Sequence, residues 1–95
     1  MRTELSQRAL DDIKDIARYT IENFGRAQAD EYLGGLYHSF DILGDNSKIG
    51  QVIPETTVRR YIYRMHYVFY EIREDVIRVA HIRHTSMELP EWWRT

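Results

Sequence analysis

Ninety-five residues, 43% of them hydrophobic and 29% charged, suffice for one domain with a single modest core and for no second one. Without cysteine the chain has no disulfide or thiolate chemistry, and two prolines with five glycines mark a folded rather than a disordered composition. A net charge of −2 argues against binding nucleic acid through the overall field, so no direct DNA binding by the chain alone is expected.

Arg2 to Leu5 reads as a short opening strand, and Ser6 is placed to cap a helix over Gln7 to Asn23. Ala9, Ile13, Ile16, Ala17 and Ile21 recur at helical spacing and predict a buried stripe, with Asp11, Asp12, Lys14, Asp15 and Arg18 largely on the polar side. Gly25 suits the positive-φ position after that helix, and Phe24 is placed to fold back onto the stripe. A second helix follows at once, with Ala29, Leu33, Leu36, Phe40 and Leu43 on one face. So short a link predicts an antiparallel helical hairpin over about 7–43. The Gly34-Gly35 pair inside the second helix predicts a close backbone approach, with the first helix as its expected neighbour. Gly44 to Thr57 has the composition of a connecting loop.

From about 58 to 84 the character changes. Val58–Arg64, Tyr67–Arg73 and Val76–Arg83 are three strand-length runs rich in β-branched and aromatic residues, joined by two-residue spacers, which predicts a three-stranded antiparallel meander. The expected class is therefore α+β, a single domain over 1–95: short N-terminal strand, helical hairpin, meander and an apolar C-terminal tail at 85–95. Residues 1–57 hold ten acids against six bases, whereas 58–84 hold six arginines against three acids. A basic, tyrosine-laced sheet can receive an acidic peptide as readily as a phosphate chain, although scattered strand arginines also serve only to keep a sheet in solution.

Arg59, Arg60, Arg64 and Arg83 are candidate charge-assisted donors to such a peptide, and Tyr61 and Tyr63 are candidate anchors. Trp92 and Trp93, adjacent and close to the C-terminus, are candidate interface residues, as is His84 beside Arg83. The four histidines show no metal-ligand spacing, and no phosphate-binding loop or nucleophile elbow is present; no cofactor or metal is expected. By strand alternation His81 and His84 fall on opposite faces unless a bulge intervenes. The opening residues lack the blocks of a signal peptide, and no apolar run approaches the ~20 residues of a membrane span, so a soluble, cytoplasmic protein without membrane contact is expected.

Leu5-Ser6 leading into Ala9-x-x-Asp12-Ile13-x-x-Ile16-x-x-Tyr19-x-x-Glu22 is followed by Phe24-Gly25-x-Ala27-Gln28-Ala29-x-x-Tyr32. Gly50, Val58-Arg59-Arg60 and Tyr67-x-Phe69-Tyr70 before His84 complete a pattern running through nearly the whole chain. In these residues the sequence resembles the ParE branch of the RelE/ParE toxin superfamily. The resemblance implies the toxin of a type II toxin–antitoxin pair, neutralised by a ParD-like antitoxin whose acidic C-terminal segment wraps around it. It also implies DNA gyrase as target, inhibited without chemistry; for that contact the sheet and tail residues Arg83, His84, Trp92 and Trp93 are the candidates. The alternative it implies is a RelE-like, ribosome-dependent endoribonuclease using Arg60, Arg64, His81 and Arg83 on phosphates and Tyr67 or a histidine to move a proton. Tyr67 stands where those nucleases place an arginine, and Thr85-Ser86 where a basic pair is common.

Overall fold

The computed structural model describes residues 1–87. It is α+β, as expected: β1 (Arg2–Leu5), α1 (Gln7–Phe24), α2 (Arg26–Asp45), β2 (Gln51–Val52), β3 (Arg59–Tyr63), β4 (His66–Arg73) and β5 (Val76–His84). The strands form one sheet in the order β1-β5-β4-β3-β2. The two helices cover one face. There Ala9, Ile13, Ile16, Leu36, Phe40 and Leu43 from the helices meet Val68, Tyr70, Ile77, Val79 and Ile82 from the sheet in the main core.

Local sequence explains most elements. Ser6 is extended at φ −66°, ψ 163°, and its hydroxyl accepts from Ala9 N–H at 3.0 Å, which starts α1. Gly25, at φ 88°, ends α1 and starts α2 in a single residue, a conformation that a side chain rarely adopts. Glu74 and Asp75, both at positive φ, make the two-residue β4–β5 turn, and Arg64 at φ 47° helps to make the β3–β4 turn.

The expected meander is present as β3, β4 and β5 with a strand added on either side, and four other expectations are corrected. The meander is the middle of a five-stranded sheet, because β1 pairs in parallel with β5, Arg2 opposite Val76 through Leu5 opposite Val79. The segment read as loop contains β2, held by its pairing with β3 and by the Arg59 guanidinium, which donates to Lys48 O at 3.2 Å and Gly50 O at 2.8 Å. The buried stripe of α1 is Ala9, Ile13, Ile16 and Thr20. Thr20 tolerates burial because its hydroxyl donates to Ile16 O at 2.7 Å, while Ile21, one residue on, turns away and is 40% exposed. Phe24 is 66% exposed and meets Tyr19 edge-on rather than the core. Finally, the neighbour of Gly35 is Tyr63 of β3, not α1: a methyl there would lie on the Tyr63 hydroxyl and 2.8 Å from its Cζ, whereas Gly34 has open space.

Candidate functional site

Strand alternation divides the basic and aromatic side chains between two faces. Residues paired with the core members Val68 and Tyr70 share the helix face, so Tyr61, opposite Val68, packs on the main core, and Arg59, opposite Tyr70, lies on that side too. Residues paired with Tyr67 and Phe69 face outward: Ile62 and Arg60 on β3, Arg83 and His81 on β5. A bulge at Ala80 sets this phase. Phe69 pairs with His81 but Tyr70 with Val79, so beyond the extra residue Ile82 and His84 turn to the helices. His81 and His84 therefore do lie on opposite faces.

On the outward face Arg60, Tyr67 and Arg83 form a row across three strands. The Arg60 guanidinium lies 4.6 Å from the centroid of the Tyr67 ring and donates to Gln51 Oε1 at 3.1 Å. Arg83 is opposite Tyr67 on β5. Behind the row, His81 is 2% exposed and stacked at 28° on Phe69, itself buried. Its Nδ1 lies 2.6 Å from Asp12 Oδ2 of α1, which also accepts from Ile82 N–H at 2.9 Å. A carboxylate only accepts, so Nδ1 carries the proton and the lone pair of Nε2 faces Arg83 Nη1 at 3.3 Å. Burial alone would raise the Asp12 pKa, but the bonds from His81 and Ile82 and the Arg8 guanidinium at 3.3 Å prevail, and the carboxyl titrates below its ordinary value.

A second cluster lies on the helix side of the β3–β4 turn. The Tyr32 hydroxyl of α2 accepts from Met65 N–H at 3.3 Å and reaches His66 Nδ1 at 2.6 Å, while Tyr63 donates to Tyr32 O at 2.9 Å. The His66 and His84 rings meet edge to face at 5.4 Å, and His84 Nδ1 accepts from Ser86 N–H. Burial first, then the repulsion of His84, lowers the His66 pKa from 6.5 to about 4, so the ring is neutral. Burial raises the Tyr32 hydroxyl above its ordinary pKa, with Tyr63 adding to the effect. Arg64 ends between the Tyr32 and Tyr63 rings, at 5.8 Å and 5.6 Å from their centroids, and 3.6 Å from Glu31.

The residues singled out in the sequence thus do not form one surface. Arg60 and Arg83 come together on the outward face; Tyr63, Arg64 and His84 gather at the turn; Arg59 and Tyr61 hold the fold. Trp92 and Trp93 lie outside the described residues. Three participants were missed: Asp12, counted with the polar side of its helix, and Tyr32 and His66. Asp12 carried a signal, since it sits between the stripe residues Ala9 and Ile13 and so borders the buried face. Of the five side chains named for RNA cleavage, Arg60, Tyr67, His81 and Arg83 share a face and Arg64 does not. Among the described residues no group of three His, Cys, Asp or Glu side chains is arranged to hold a metal, and no helix is long and apolar enough to cross a membrane.

A strand, a helical hairpin and a mainly antiparallel sheet with a basic outward row make up the α+β fold whose family the comparisons with known proteins identify. The family model described as the ParE toxin of the type II toxin–antitoxin system parDE matches residues 3–89, and the chain belongs to that family. Among solved structures it is similar to the chromosomal ParDE toxin–antitoxin system of P. aeruginosa, at 16% identity and a TM-score of 0.78, over 88% of this chain and 95% of that one. It is also similar to the intact RelBE toxin–antitoxin complex of E. coli, at 11% identity and a TM-score of 0.61, over 90% and 98%. No curated protein sequence matches the chain.

Proposed function

We propose that this toxin works by grip: it inhibits DNA gyrase without catalysing a reaction, and a ParD-like antitoxin with an acidic C-terminal segment neutralises it in the cytoplasm. The observation that carries the reading is the family match over residues 3–89 on a chain whose outward sheet face presents Arg60, Tyr67 and Arg83 in a row beside the exposed Ile62. Cationic donors flanked by apolar surface suit a polypeptide that alternates acids with apolar anchors. Among the described residues β1 is an edge strand, beside a groove lined by Leu5, Tyr37 and Phe40 together with Arg2, Asp41 and Asp45, which suits an apolar part of an extended segment better than its acids. The decisive experiment is a supercoiling assay with purified gyrase. Loss of supercoiling and accumulation of cleaved DNA at saturating toxin are expected, and undiminished activity refutes the target.

One observation favours a second reading. Arg60, Tyr67, His81 and Arg83 do share a face, as ribosome-dependent RNA cleavage would require. Against it, His81 is bonded to Asp12 at Nδ1 and to Arg83 at Nε2, so it has no nitrogen ready to take a proton from a ribose hydroxyl. Mapping transcript ends after induction separates the two, since new ends within reading frames are expected only of a nuclease.

A further inference from the structure

Among the described residues the outward face holds a buried donor without an acceptor. Among the described residues Arg83 Nε is buried and no acceptor reaches it, an arrangement that folded chains ordinarily avoid. The rest of that guanidinium is held. Nη1 donates to His81 Nε2 at 3.3 Å, and Nη2 touches Met87 Sδ at 3.6 Å, a weak acceptor on a residue that is 56% exposed. His81 can accept only because its proton is on Nδ1, and that proton is placed by Asp12 Oδ2 at 2.6 Å. Asp12 is fixed in turn by Ile82 N–H and by Arg8. Helix α1 thus orients a strand arginine through a carboxylate and an imidazole. The edge left over, Nε with Nη2, is the side of a guanidinium that offers two parallel N–H groups, the pattern that takes a carboxylate with both oxygens.

We propose that Arg83 is the anchor for an aspartate or glutamate side chain of an acidic polypeptide partner, that Asp12 and His81 are its positioning residues, and that Met87 is the cover displaced on binding. This rests on the reading of the protein as one that grips other polypeptides. A polypeptide fits better than a phosphodiester chain for three reasons. The protein carries a net charge of −2, and a phosphate backbone needs several cations in line. Among the described residues Arg60 is the one other cation of the row, so a chain lying along it meets two cations and not a series. Ile62 beside the row is 56% exposed, which suits a segment mixing acids with apolar residues.

The test follows the arginine Nε–Hε signals of the whole chain by NMR while a blocked hexaglutamate peptide is added, with oligouridylate in parallel. The Arg83 signal is expected to move and its hydrogen exchange to slow with the peptide, and Arg83→Lys, which keeps the charge but loses the fork, to weaken binding about tenfold. Asp12→Asn is expected to shift His81 from the Nδ1–H toward the Nε2–H tautomer in the folded protein, a readout that a loss of stability alone leaves unchanged, and to speed exchange at Arg83 Hε beyond the change seen at core amides of the same variant. A response to oligouridylate but not to peptide overturns the ligand class, and no response to either overturns the anchor. An Asp12→Asn protein with the His81 tautomer and Arg83 exchange of the parent overturns the positioning role. Gyrase takes no part in this titration, so failure of the anchor and failure of the gyrase reading are read separately.

Discussion

Adding one methyl group at either of two adjacent glycines should move stability in opposite directions. Gly34 is exposed within α2 and has no atom within 4 Å of where a Cβ would stand, so Gly34→Ala collects only the helix-propensity gain of about 0.5–1 kcal/mol. At Gly35 the same gain is opposed by the Tyr63 ring, whose Cζ lies 2.8 Å from the added methyl and whose hydroxyl is nearer still. Tyr63 cannot simply swing aside, because it packs on the core, meets Tyr32 edge-on and donates to Tyr32 O at 2.9 Å. Overpacking costs about 1–3 kcal/mol and the displaced hydrogen bond about 1 kcal/mol, leaving Gly35→Ala destabilised by roughly 1–3 kcal/mol. Urea denaturation should place the parent between the two variants, and melting temperatures should follow at about 4–8 °C per kcal/mol. In the Gly35→Ala background, Tyr63→Phe should cost less than it does alone, with a coupling of about 1 kcal/mol. If Gly35→Ala proves as stable as Gly34→Ala, the close packing of α2 on β3 described above is wrong.

Acid should weaken the fold through His66. The folded chain holds this ring neutral down to about pH 4, whereas the unfolded chain titrates near 6.5, so its contribution is complete above pH 6.5 and is lost as the pH falls toward 4. The shift corresponds to at most about 3 kcal/mol, and partial exposure reduces that to about 1–2 kcal/mol. Urea midpoints at pH 7.5 and pH 5 measure it, and His66→Gln should flatten the difference. Tyr70→Phe strips the hydroxyl that donates to Ser47 O at 2.7 Å and accepts from the buried Gly50 N–H at 2.9 Å; a loss of about 1–3 kcal/mol is expected in the same assay. Arg59→Ala should destabilise by about 1–2 kcal/mol because two loop carbonyls lose their donor, while Arg60→Ala should cost under about 1 kcal/mol and instead weaken antitoxin binding by calorimetry. Equal effects of the two on binding would show that the faces are not divided as described.

Much of the fold was legible because it is local. Ser6, Gly25 and the three-and-four spacing of Ala9, Ile13 and Ile16 define α1 and its end, and Glu74-Asp75 between two β-branched runs defines a hairpin. The parallel pairing of Arg2–Leu5 with Val76–Val79 was not legible, since nothing in four residues states which distant strand they join. The two-residue β2 was hidden for another reason: it is held by a side chain of β3 and by pairing rather than by its own propensity. The site was read less well than the fold. Arg59 and Arg60 are neighbours in one strand, so alternation alone separates them, yet composition groups them as a single basic surface. Asp12 was assigned to solvent by its charge, although its position between two buried alanine and isoleucine positions brings its carboxylate to the open edge of β5.

Arginine and tyrosine serve two ends in this sheet, and in the proposed reading only the second concerns partners. On the helix side their polar ends stitch elements together: Arg59 ties β3 to the β2 loop, Tyr70 fixes Gly50, and Tyr63 and Tyr32 bind the middle of α2 to the β3–β4 turn. Those bonds are made within the chain, so substitutions there act first through stability, and any loss of binding follows from unfolding. On the outward side Arg60 rests on a half-exposed tyrosine and Arg83, among the described residues, keeps an unmet donor, so substitutions there should spare the fold and change what is held. The partly buried Asp12–His81 pair joins the two sides, because it spans from α1 to the outward row through the edge of β5. Asp12 on α1 is thus two hydrogen bonds away from the Arg83 guanidinium, through the two nitrogens of the His81 ring.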